Sequence, residues 1–158
     1  MPHVELDALA WGPNWTLVPV DVFQDRVAKA VAGDAWVVDG NYGGRGAQSL
    51  VLPRADTVIW LDPPLRVIFL RLFRRALRRS RSREELWPGT GNRETLRNQL
   101  LSRDSLFWWA LKTHWRRRRD LPLILARLEH KHLVVHRFRR SSEAAAWLEA
   151  AAPATAGS

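Results

Sequence analysis

Residues 35–45 read AWVVDGNYGGR. The apolar run Trp36, Val37, Val38 stops at Asp39-Gly40, and a glycine-rich segment then carries the chain to Arg45. A short apolar run bounded by turn residues predicts a buried strand of a parallel sheet. In open α/β sheets the ligand crevice lies just beyond the carboxyl ends of the strands, which places Asp39 at that rim. Gly40, Gly43, Gly44 and Gly46 permit close backbone approach, and Arg45 offers a guanidinium for an anion. The same residues also fit a strand and an ordinary turn.

Outward from this stretch, similar units recur. Upstream, residues 3–7 (HVELD) alternate and deliver Asp7 to the same rim, and Trp11-Gly12-Pro13-Asn14-Trp15 reads as a loop. From Asp21 or Val22 a helix carries Val22, Phe23, Val27, Ala30 and Val31 on one face, and Gly33-Asp34 ends it. Downstream, residues 57–62 (TVIWLD) form a third apolar run ending in an acid, Asp62, which serves equally as a turn residue. Pro63-Pro64 stops that strand and is tolerated in the first turn of the next helix. That helix, Leu65 to about Arg79, spaces Leu65, Ile68, Phe69, Leu72, Phe73, Ala76 and Leu77 for burial. Arg71, Arg75, Arg78 and Arg79 line another face.

Residues 80–94 (SRSREELWPGTGNRE) are polar and read as a mobile excursion. A long helix is expected from Thr95 to Arg119, with Leu106, Phe107, Ala110 and Leu111 inward and the four arginines Arg116, Arg117, Arg118 and Arg119 forming its solvated end. A second helix takes in Leu123 to Leu128. Residues 133–138 (LVVHRF) give the last strand, and Ser142 with Glu143 opens a terminal helix. Strands alternating with helices predict an α/β fold with a mostly parallel sheet.

At 158 residues and 46% hydrophobic content the chain fits one domain with a core. No apolar run is long enough to span a membrane, and the N-terminus lacks a signal-peptide pattern, so a cytoplasmic protein without a membrane partner is the default expectation. With no cysteine there is no disulfide or thiolate metal site. The histidines show no metal-ligand spacing. The net charge of +9 is carried almost wholly by arginine, a residue suited to bidentate phosphate contacts, although a GC-rich genome also favours arginine codons. Nucleic acid is therefore a candidate partner, and Trp11, Trp15, Trp108, Trp109 and Trp115 could stack on bases or pack internally.

Three rim-directed acids, the D-G-N-Y-G-G-R turn and the spacing of Arg71 and Arg75 resemble the P-loop nucleotide and small-molecule kinases. In adenylate-kinase-like enzymes a strand ends in D-G-[FY]-P-R; here Asp39 and Gly40 match, while Arg45 arrives two residues late. HVELDAL-W-GPNW, WVVDGNY, DTVIWLD-P and L-R-x-x-R-R-x-L-R-R look like the adenylate-kinase-related topology modulation proteins over nearly the whole chain. The resemblance implies a three-layer kinase-like sandwich over residues 1–152, with an arginine-rich lid at about 78–104 and a disordered tail at 153–158.

It also implies phosphoryl transfer from ATP with Mg2+ to an unidentified acceptor. Asp7, Arg71 and Arg75 would then be catalytic. Asp39, Gly40, Arg45, Arg78 and Arg79 would bind nucleotide or phosphate, with Asp39 acting indirectly on the magnesium. One departure outweighs the rest: no G-x-x-x-x-G-K-[ST] loop occurs, so the main phosphate site and a central strand between those ending in Asp39 and Asp62 are expected to be missing. Either Met1 is an internal or misassigned start, or the protein has shed the loop. As it stands, the chain is expected to be inactive. The alternative function is a non-catalytic, basic nucleic-acid-binding protein.

Overall fold

The computed structural model describes residues 1–82, 86, 87, 89–92 and 106–151. Most of the expected lid, the start of the long helix expected from Thr95, and the expected tail lie outside these residues. The order of elements is β1 (His3–Glu5), α1 (Leu6–Ala10), α2 (Val20–Ala30), β2 (Val37–Asp39), α3 (Ala47–Val51), β3 (Thr57–Leu61), α4 (Leu65–Ser82), α5 (Leu106–Leu125), β4 (Val134–Phe138) and α6 (Ser141–Ala151). The chain is α/β, and its strand ladders are parallel. β1 pairs with β2 in the register Glu5 opposite Asp39, and β3 pairs with β4 in the register Leu61 opposite Phe138.

The two ladders remain separate sheets of two strands each, because β2 and β3 are not paired. Parallel strands normally have both faces covered. Here Val37, Ile59 and Leu61 keep 49%, 46% and 61% of their surface exposed. The alternate residues Val38, Val58 and Trp60 are partly covered, and in the second ladder so are His136 and Phe138, which lie in register with Ile59 and Leu61.

The first ladder rests on a core of Leu6, Ala10, Phe23, Val27 and Ala47, bordered by Trp11, Val18, Val38, Tyr42 and Leu50. Arg54 closes the end of α2 by donating from Nε to the Val31 carbonyl (2.9 Å) and from Nη2 to the Ala32 carbonyl (3.1 Å). Val22, expected inward, is exposed, since the buried stripe of α2 runs through Phe23 and Val27. Around the second ladder, α4 packs on α5 with Phe69 stacked on Phe107 at 5.8 Å. Phe73 and Leu111 lie outside this seam and are exposed. Trp147 of α6 packs on His136 and Phe138 of β4. Glu143 accepts the backbone N–H groups of Arg139 and Arg140 at 3.0 and 3.1 Å, which supports the start of α6.

Three further expectations are corrected. First, one helix, α5, runs through Pro122 to Leu125, so the arginine run lies in its body and no second helix spans Leu123 to Leu128; a 3-10 turn covers Leu128–His130. His130 holds that turn against the helix end through Nδ1 and the Ile124 carbonyl (2.7 Å).

Second, the run is not simply a solvated face. Arg118 Nε donates to Asp62 Oδ1 at 2.6 Å, and Arg137 donates to Oδ2 from Nε at 2.9 Å and from Nη2 at 2.5 Å. Asp62 is only 4% exposed and takes Arg139 Nε at 3.9 Å as well. Third, the polar excursion is partly docked. Asn92, only 1% exposed, accepts the Trp15 N–H (2.9 Å) and donates to the Gly12 carbonyl (2.9 Å). Trp87 meets Trp15 edge-on at 6.0 Å.

Burial raises the pKa of Asp62, but the hydrogen bonds and charges of Arg118 and Arg137 outweigh it and hold the carboxyl below its ordinary value. A pKa depressed on folding stabilises the protein above the ordinary carboxylate value of about 3.9, and that stability is lost as pH falls through it towards the folded value. Asp62→Ala should cost roughly 2–4 kcal/mol, below the figure for a fully buried pair, because both arginines stay partly exposed. Urea titrations at pH 7 and pH 3 check this: the gap between wild type and Asp62→Asn should shrink at the lower pH.

Candidate functional site

The carboxyl ends of β1 and β2 fall side by side because Glu5 and Asp39 are in register. Two residues beyond Glu5, Asp7 lies in the first turn of α1 rather than on the strand, with its side chain at the surface. Three residues beyond Asp39, the Tyr42 hydroxyl donates to Asp7 Oδ1 at 2.5 Å. Burial comes first among the causes that push the Tyr42 phenol well above its ordinary pKa, followed by the hydrogen bond and charge of Asp7. The phenol therefore stays a donor at neutral pH. Trp11 and Tyr42 both border the core around Leu6 and Phe23, which links the rim to the tryptophan loop.

Gly40 makes this close packing feasible. Its φ is +126°, and a Cβ there would lie 2.9 Å from Leu6 Cβ. Asp39 ends β2 exposed. Next to it, Asn41, with its amide oxygen turned to the helix, accepts Arg117 Nη2 at 2.7 Å and Nε at 2.8 Å. Arg117 also lies over the Trp109 ring at 5.1 Å, and burial lowers its pKa from the ordinary guanidinium value. The rim therefore carries two carboxylates, a protonated phenol and a half-buried guanidinium. That set can hold a polar acceptor group and accept a proton from it.

Among the residues singled out from sequence, Asp7, Asp39 and Gly40 lie at this rim. Arg45 turns inward: Nη2 donates to the Val18 carbonyl, the guanidinium sits 5.3 Å from the Phe23 ring centre, and Nε is buried without a partner. On α4, Arg71 donates to Ser141 Oγ at the start of α6, so its partner is neither rim acid. Arg74, Leu77, Arg78 and Arg81 line a shallow open groove farther along α4, with Arg75 and Arg79 on the same helix.

Sequence reasoning passed over Tyr42, Asn41 and Arg117. Tyr42 was legible as the single tyrosine of the chain, three residues after the rim acid. Arg117 was hidden inside a run of four identical residues. No group of three or more His, Asp or Glu side chains suited to a metal occurs among the described residues, and none of their helices is long and apolar enough to cross a membrane. Comparisons with protein-family models, curated proteins and solved structures find no match to this chain.

Gly40→Ala should lower stability by more than about 1 kcal/mol, since it combines a positive φ with a clash against Leu6 Cβ, an atom no rotamer change can move away. Gly44→Ala, where a Cβ meets nothing within 4 Å, should stay within about 0.5 kcal/mol of wild type. Chemical denaturation of the two variants in parallel provides the comparison.

Proposed function

We propose that these 158 residues supply the acceptor side of an ATP-dependent phosphotransferase of the adenylate-kinase-like class. The observation that carries this reading is the convergence of Asp7, Tyr42, Asp39 and Gly40 at the carboxyl ends of two parallel strands in register. In this reading Asp7 orients and deprotonates the acceptor hydroxyl, with Tyr42 fixing its carboxylate. Arg71, Arg75, Arg78 and Arg79 on α4 meet the charge that develops on the transferring phosphoryl group.

Magnesium would arrive with the triphosphate and be held through Asp39, an exposed oxygen donor of the kind Mg2+ takes while keeping most of its waters. When bound, the ion neutralises charge on the phosphate oxygens. The fold would be a kinase-like sandwich whose phosphate-loop strand, outside these residues, pairs between β2 and β3. Among the described residues the facing edges of those strands have no hydrogen-bonded neighbour, which supports this placement.

Two measurements test the reading. The in-frame DNA upstream of Met1 should encode G-x-x-x-x-G-K-[ST] within about 40 codons, the length of a strand–loop–helix unit with its connection. By calorimetry the 158-residue chain should bind Mg·ATP no better than about millimolar and transfer no phosphoryl group, whereas a chain extended through that motif should bind at about micromolar. Micromolar binding by the short form would relocate the phosphate site. An upstream region without the motif would remove the basis for the kinase reading.

A further inference from the structure

Helix α5 presents an outward stripe unrelated to the rim. Trp108, Lys112, Trp115 and Arg119 follow one another at spacings of four, three and four, so they share one line along the helix. At 1.5 Å per residue the line is about 16 Å long. Trp108 and Trp115 keep 49% and 65% of their surface exposed, and Leu111, Arg116 and Leu123 flank them, also exposed. The opposite face, with Ala110, Thr113 and His114, is buried. Lys112 Nζ lies 5.9 Å from the Trp108 ring centre, and Arg118 Cζ lies 5.8 Å from that of Trp115. Arg119 pairs with the adjacent Asp120 at 2.7 Å, both partners being accessible.

The order along this line is aromatic, cation, aromatic, cation, and that order selects the ligand. An apolar protein partner would bury Lys112 and Arg119 at a cost no apolar surface offsets. A membrane surface suits a helix with its cations on a separate polar face, whereas here they interrupt the apolar line. A single-stranded nucleic acid alternates flat bases with anionic phosphates and meets both kinds of side chain at once. The overall charge of +9 adds the long-range attraction such a polyanion needs. We infer that the outward face of α5 is a binding surface for single-stranded nucleic acid, with Trp108 and Trp115 as stacking platforms and Lys112, Arg116 and Arg119 as phosphate contacts.

The test is fluorescence anisotropy of a labelled oligo(dT) of about 15 nucleotides with the full 158-residue chain, titrated between about 50 and 200 mM salt. Trp115→Ala and Trp108→Ala should each weaken binding by roughly 5- to 100-fold, the range expected for losing one stacked base. Trp115→Phe, which keeps a flat ring, should recover most of the loss. Lys112→Gln should lower the salt slope by about 0.7, as one phosphate contact on a single strand requires. Circular dichroism confirms that the variants keep the fold. Alanine variants with wild-type affinity would overturn the proposal. So would binding to phosphatidylglycerol vesicles that the tryptophan variants abolish while oligo(dT) does not bind at all.

Discussion

The carboxylate of Asp62 holds the second half of the molecule together. It sits directly after β3 and takes Arg118 from the middle of α5 and Arg137 from β4, while its own N–H donates to the Phe138 carbonyl at 2.8 Å. A two-stranded ladder is marginal alone, and the Asp62 ion pairs tie β3 and β4 to α5. A buried carboxylate is costly to desolvate and offsets that cost only when its oxygens are well bonded. Both oxygens of Asp62 receive guanidinium donors, and Arg137 also covers the Trp60 ring at 4.0 Å. Once Arg118 is committed inward, helical geometry decides the rest. Arg117 turns towards Asn41 and the rim, and Arg119 and Trp115 turn to solvent.

The first half is organised differently. Phe23 and Val27 of α2 are fully buried against Leu6, Ala10 and Ala47, so β1 and β2 rest on apolar packing rather than on ion pairing. The two halves meet the same constraint at the sheet. Each described strand has one hydrogen-bonded neighbour, and the open sides of β2 and β3 retain branched apolar residues at the surface. Exposed strand edges are templates for further pairing.

The strands were legible because each is a short apolar run cut off by a turn or acid, a pattern that needs no tertiary information. HVELD, WVVDG, TVIWLD and LVVHRF all yielded strands at the expected places. Of the three acids expected at strand ends, Asp39 ends its strand, Asp7 falls in the first turn of α1, and Asp62 is buried among arginines. What could not be read was helix phase. In four consecutive arginines every rotation of α5 exposes one and buries another, and only the position of Asp62, more than 50 residues earlier, selects Arg118. Pro122 does not end α5: a proline usually breaks a helix, but on the exposed side of α5 it removes one backbone hydrogen bond without stopping the turn. Asn92 was illegible because its partners, Gly12 and Trp15, are distant in sequence and are backbone groups, which leave no mark in the residue pattern.

That last contact bears on how the rim is held. Asn14 and Trp15 both adopt positive φ, 55° and 56°, a region that costs a non-glycine residue about 1 kcal/mol or more. Two such residues in succession persist only where the surroundings over-determine them. Asn92 does this by bonding the Trp15 N–H and the Gly12 carbonyl with one buried amide, while the Trp11 N–H donates to the Asp7 carbonyl at 3.1 Å. Trp15 in turn packs edge-on against Trp11 at 5.7 Å. Trp11 and Tyr42 pack on the same core, and Tyr42 hydrogen-bonds to Asp7. The strained turn is thus at one end of a continuous chain of contacts whose other end is the Asp7 carboxylate, so the docking of Asn92 helps set the orientation of the candidate base.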